Sequence, residues 1–184
     1  LQGAGNKTTA VRAAYYHGDC DDIHEEASMG TDTWQDAKDI AVTSFLDNGP
    51  AHLNCAQAVV VFAAHALQFD PKAVLAARYM GGGSVGMGHL CGALSGAILA
   101  PGLRDFFSGA EWPDRAAPDK GALQQLIRDF EAEFGTATCL GLTGHDISSK
   151  EGYRAFKQDK ISKRCADYVA WTCDRLEPIL RGAD

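Results

Sequence analysis

From Asn54 to Phe69 the chain carries no Asp, Glu, Lys or Arg, so the only charge this stretch holds near neutral pH is whatever His65 takes up. A helix that is apolar on every face has no side to offer water, and it sits at the centre of a fold with other elements around it. Asn54 is a good helix cap, which makes Cys55 the first helical residue and predicts a helix from Cys55 to about Phe69. The remainder of the chain must therefore wrap this segment.

At 184 residues there is enough chain to bury such a core in one domain. We expect an arm over residues 1–30 and a single helical four-cysteine domain over residues 31–184. The chain starts at Leu1, and Leu1 to Thr9 is polar with no hydrophobic core of a leader. Any signal peptide is then already removed, and an exported, periplasmic location is favoured over the cytoplasm. A formal charge of -7 argues against a nucleic-acid surface, which needs clustered Lys and Arg. The longest apolar runs, Ala56 to Leu67 and Cys91 to Leu103, are too short and too interrupted for a membrane span.

Helical periodicity recurs on both sides of the central segment. Thr31-Asp32-Thr33 caps a helix through Trp34, Ala37, Ile40, Ala41 and Phe45, closed by Asn48-Gly49-Pro50. Asp70-Pro71 opens a third helix through Val74, Leu75, Ala76 and Tyr79. Cys91 opens a helix of small residues that lets a neighbour approach closely, and Pro101-Gly102 ends or kinks it. The tract from Ser108 to Pro118 reads as an exposed loop. Asp119 to Phe134 has Leu123, Leu126, Ile127, Phe130 and Phe134 on one face, and Gly135 closes it. Thr136 to Gly141 reads as a turn, Ser148 to Glu151 as a capping box, and Ser162 as the cap of a final helix to about Leu180. No stretch alternates with period two, so the fold class is all-α, a compact bundle of six to seven helices.

Five glycines fall between Gly81 and Gly88, running directly into Cys91. Gly81, Gly82, Gly83, Gly86 and Gly88, with His89, can bring backbone N–H groups close to an anionic group. The loop has no Lys-Ser/Thr ending and follows no predicted strand, which excludes a P-loop. Cys55, Cys91 and Cys165 fall at helix starts and Cys139 in a turn after a glycine stop; at helix N-termini thiolates are stabilised and become nucleophiles or ligands. Cys173 lies eight residues after Cys165, about 12 Å along a helix, too far for a disulfide between them. It reads as a packed core thiol, and His52 and His65 as satisfied core histidines. His17, Cys20 and His24 share a face if the arm is helical, a ligand set for haem or a transition metal, although neighbouring acids disfavour the Cys20 thiolate. No C-x-x-C or C-x-x-C-H occurs, which removes the local zinc, thioredoxin-type and covalent haem signals.

With these residues in view, the chain resembles the C-GCAxxG-C-C family of small redox proteins, related to a domain of split-Soret cytochrome c. The resemblance rests on Asn54-Cys55-Ala56-Gln57, on Gly81-Gly82-Gly83 through Gly88 into Cys91-Gly92-Ala93-Leu94-Ser95-Gly96, on Phe134-Gly135 before Cys139, and on Cys165. The central motif departs from the family pattern, reading C-G-A-x-x-G. The resemblance implies a redox role, a homodimer with a redox partner protein, and an iron-sulfur cluster on Cys55, Cys91, Cys139 and Cys165. Backbone N–H groups suit the sulfurs of such an anionic centre, and Lys160, Lys163 and Arg164 add positive charge. Two other chemistries use the same residues: metal-free thiol and disulfide exchange, and haem or a transition metal held by His89, His17 or His24. No general base or catalytic dyad can be named, and the sequence leaves enzymatic activity open.

Overall fold

A computed structural model describes residues 33–110 and 119–182. The arm with His17, Cys20 and His24, the cap residues Thr31 and Asp32, and Trp112, Pro113 and Pro118 of the expected loop lie outside the described residues. Seven α-helices and one 3-10 helix make up the regular structure among those described. They are α1 (Thr33–Leu46), α2 (Cys55–Ala66), the 3-10 helix (Pro71–Ala77), α3 (Gly92–Phe107), α4 (Lys120–Phe134), α5 (Cys139–Thr143), α6 (Lys150–Gln158) and α7 (Ser162–Arg181). The all-α expectation holds, and the only strand-like pairing among the described residues is an isolated antiparallel bridge between Leu90 and Thr138.

The uncharged segment is the centre of the bundle. α2 packs against α1, α3, α7 and the 3-10 helix, and Ala56, Val59, Val60 and Phe62 are fully buried or nearly so. The start of α2 is secured locally. The Asn54 side chain accepts from the N–H groups of Ala56 and Gln57, and the Gln57 side chain accepts from the N–H of Asn54. Asn54 also donates from Nδ2 to the Arg78 carbonyl at 2.9 Å, tying the cap to the approach to the glycine loop. Asn54→Ala removes both sets of bonds, and a fall in stability of about 1–2 kcal/mol by chemical denaturation is expected.

Small residues let α3 lie against α2. A Cβ on Gly96 would stand 2.5 Å from the Ala56 carbonyl oxygen and 2.9 Å from Val59 Cβ, so only glycine fits this crossing. α7 closes the other side. There Phe130 and Phe134 of α4 meet Tyr168 and Trp171 edge-on or tilted, with ring centroids 4.8–5.8 Å apart. Arg104 bonds Asp119 at 2.8 Å and the Ile179 carbonyl at 3.2 Å, joining the ends of α3 and α7 to the start of α4.

Several local expectations are corrected. Asp70 does cap a helix, but Pro71–Ala77 is a 3-10 helix, and α2 stops at Ala66. α3 continues through Pro101 to Phe107; Pro101 is buried, and the packing of the helix outweighs one missing backbone bond. Thr136 to Gly141 is not all turn, because Thr138 caps the short helix α5 and Cys139 is its first residue. Ser149, one residue after the expected cap, caps α6. Ser162 lies inside α7, which begins without a side-chain cap. His65 is not a satisfied histidine, since its Nδ1 is buried without a hydrogen-bond partner, and His52 is exposed, with Nδ1 3.0 Å from the Asp47 carbonyl.

Candidate thiol and metal centre

Each of the four motif cysteines is placed by a different local device. Cys55 stands at the start of α2 under the Asn54 cap. Cys91 is the N-cap of α3, and Cys139 opens α5 under Thr138, whose hydroxyl accepts from the Gly141 N–H at 3.1 Å. Cys165 lies in the first turn of α7. Cys91 and Cys139 are bound to each other's segments by backbone. The Cys91 N–H donates to the Ala137 carbonyl at 2.7 Å, the Cys139 N–H to the His89 carbonyl at 2.6 Å, and the Leu140 N–H to the Gly88 carbonyl at 3.0 Å. These bonds surround the Leu90–Thr138 bridge and hold the two cysteines side by side across it.

The glycine loop fits between the cysteines. A Cβ on Gly92 would collide with Cys55 Sγ, and one on Gly83 would stand 2.8 Å from Cys139 Cβ while colliding with the backbone of His89. Gly82, Gly83, Gly86 and Gly88 all have positive φ, between 65° and 80°. The N–H groups of residues 84–89 donate to carbonyls of residues 79–84, so they are already occupied within the loop. Gly82 is the exception that reaches the thiols: its N–H, with those of Ala56, Cys55 and Gly92, points at the Cys55 sulfur. His89 contributes through its backbone, accepting from Cys139 and donating to Gly83, and its side chain is exposed. Gly81 packs against the Asn54 side chain.

Electrostatics tie the four thiols together. Burial pushes the Cys55 thiol up, and the N–H groups around it only partly offset that. Burial also raises Cys91, where the charge of a Cys55 thiolate is the next cause, and Ala93 and Leu94 donors oppose it. Cys139 is pushed up to about 11 by burial and by Cys55. Cys165 is pushed up to about 12 by burial, then by Cys55 and Cys139, with Arg164 opposing. Cys55 thus acts on each of the other three. Cys173 stands apart: it is fully buried, and the charges acting on it come from Asp174 and Lys38. All five described cysteines are free thiols. Among the described residues no three His, Cys, Asp or Glu side chains are drawn close enough to hold a single metal ion.

A raised thiol pKa in the folded chain has a defined consequence for stability. Below about pH 9 the thiols are protonated in both the folded and the unfolded chain, and their contribution is fully present. As pH rises toward 11 and 12, the unfolded thiols ionise first, and stability is lost. Reduced, metal-free protein is expected to lose stability above about pH 9, by about 1.4 kcal/mol per thiol for each unit by which its folded pKa is raised, and so to melt at progressively lower temperature. A melting temperature independent of pH in that window would show the thiols to be open to water.

Two buried and two half-buried thiols stand at helix starts in an all-α fold, and the charge of Cys55 acts on the other three. The chain belongs to the family described as "Putative redox-active protein (C_GCAxxG_C_C)", whose model matches residues 53–179 and so spans all four motif cysteines. Among curated proteins and among solved structures, none matches the chain. Among the described residues no helix is long and apolar enough to cross a membrane.

Proposed function

We propose that Cys55, Cys91, Cys139 and Cys165 hold an iron-sulfur cluster, and that the protein carries or senses electrons as a homodimer working with a redox partner protein. The observation that carries this reading is the meeting of motif cysteines from distant parts of the sequence: Cys55 Sγ lies against Gly92 beside Cys91, and backbone bonds join the Cys91 and Cys139 segments, while the charges of Cys55 and Cys139 act on Cys165. The donor set fits the group. Four cysteines are the ordinary ligand complement of such a cluster. Thiolates around one tetrahedral ion lie about 3.8 Å apart at a metal–sulfur distance of about 2.3 Å, whereas a cluster of several irons takes ligands spaced more widely.

When bound, such a cluster supplies one-electron transfer at a potential set by burial, charge and hydrogen bonds to sulfur. The chain's own part is to donate from Gly82, Ala56 and Gly92 to the Cys55 sulfur and from Ala93 and Leu94 toward Cys91. Arg164 adds favourable charge beside Cys165. Ligation requires these thiols to lose their protons, so loading weakens as pH falls.

Anaerobic purification with iron and sulfide assay and visible absorption tests the reading. Protein that stays colourless and iron-free after anaerobic reconstitution would leave metal-free thiol chemistry on the same cysteines. Sedimentation velocity reads the dimer.

A further inference from the structure

α6 is a helix without an inside. None of its residues is buried, and it shares no extended packing with another helix. A nine-residue helix gains little from propensity alone, so its residues are not there to fill a core. Lys150, Arg154 and Lys157 follow one another at spacings of four and three, which puts them on one face. From Lys150 to Arg164 there are six Lys or Arg against Glu151 and Asp159, in a chain whose net charge is -7. Of those two acids, Asp159 is engaged with His145 at 3.0 Å. Six of the chain's 17 Lys and Arg thus fall within this short segment, three on α6 and the others in the turn after it and the first turn of α7.

The loop leading into α6 touches the glycine loop. Ile147, three residues before α6, packs against Gly82, and Gly88 packs against Leu140 beside Cys139. The loop between them exposes apolar side chains, Val85 at 67% and Met87 at 55%, next to Leu140 at 48%. Val85 has φ +48°, a left-handed conformation that is costly for a β-branched residue, on the order of 1–3 kcal/mol. A strained, exposed valine amid glycines has no packing role within the chain. An apolar centre beside clustered charge is the layout of a protein interface, in which charge steers encounter and apolar contact holds it.

We propose that the basic face of α6, with Val85, Met87 and Leu140, is the docking surface for an acidic electron-carrier protein. The kind of partner rests on the redox reading above, but docking is read by binding alone and needs no cluster.

Isotopically labelled full-length protein is titrated with an acidic flavodoxin, and in parallel with cytochrome c as a basic carrier. Amide shifts are expected in α6, the glycine loop and Leu140, with affinity falling roughly tenfold or more as salt is raised through the physiological range. Combined Lys150→Glu, Arg154→Glu and Lys157→Glu is expected to lower flavodoxin affinity at least tenfold. Lys150→Gln with Lys157→Gln, which preserves helix propensity, is expected to lower it roughly threefold and serves if the triple variant loses helical circular dichroism. Unchanged affinity in both variants, shifts confined to another face, or equally tight cytochrome c binding would overturn the proposal. So would sedimentation showing that the triple variant dissolves a dimer, since the occupant would then be a second copy of the chain. Binding at this face by protein that proves iron-free supports the docking surface and sinks only the cluster.

Discussion

Gly92→Ala is expected to abolish most iron loading and to destabilise the chain by about 1–3 kcal/mol, although the same exchange in an ordinary helix is stabilising. The added Cβ collides with Cys55 Sγ and comes within 3.3 Å of the Ala56 N–H nitrogen and the Met80 carbonyl. None of these can yield cheaply. Ala56 is part of the capped first turn of α2, and Met80 leads into the glycine loop. The Cys55 sulfur would have to leave the N–H groups of Gly82 and Gly92 that face it. Gly102 supplies a matched control in the same helix, exposed and with nothing within 4 Å of where a Cβ would stand. Gly102→Ala is expected to leave iron content unchanged and to raise stability by up to about 1 kcal/mol. Iron analysis and denaturant midpoints on the two variants check both signs. Equal behaviour would show that Gly92 is kept for helix packing and not for the sulfur.

The parts of this molecule that are legible in its sequence are those decided within a few residues or by composition. The burial of α2 follows from its lack of charge, and the Asn54 cap from a side chain and two N–H groups at the same turn. Gly135 ends α4 at φ +81°, as a glycine at that position does. Neighbouring decisions that depend on tertiary packing are not visible there. Pro101-Gly102 reads as an end or a kink, yet burial against the core carries α3 past it to Phe107. The approach of Cys91 to Cys139 is the clearest case. It depends on a bridge of one residue pair, Leu90 with Thr138, which has no alternating pattern to announce it. The only local trace is the β-branched Thr138 beside Cys139 and Leu90 after a glycine run. Family resemblance groups the cysteines; the backbone bonds explain how two of them meet.

Cysteine exchanges are expected to separate the centre from the core. With the proposed cluster, Cys55→Ser should lose almost all bound iron, because Cys55 is the thiol whose charge reaches Cys91, Cys139 and Cys165 alike. Its effect on the metal-free fold should be small, since the N–H groups of Gly82, Ala56 and Gly92 can donate to a serine oxygen. Cys173→Ser should do the reverse. That side chain is fully buried beside Val169 and Leu176 on the core side of α7, and nothing among its charged neighbours belongs to the thiol centre. A hydroxyl there is unpaired unless it bonds back to its own helix, and about 1–3 kcal/mol of stability should be lost with iron content per folded protein unchanged. Iron and sulfide per protein, measured beside urea midpoints for both variants, give the comparison. Retained iron in Cys55→Ser would remove that residue from the ligand set, while lost iron in Cys173→Ser with an intact fold would place a core thiol in it.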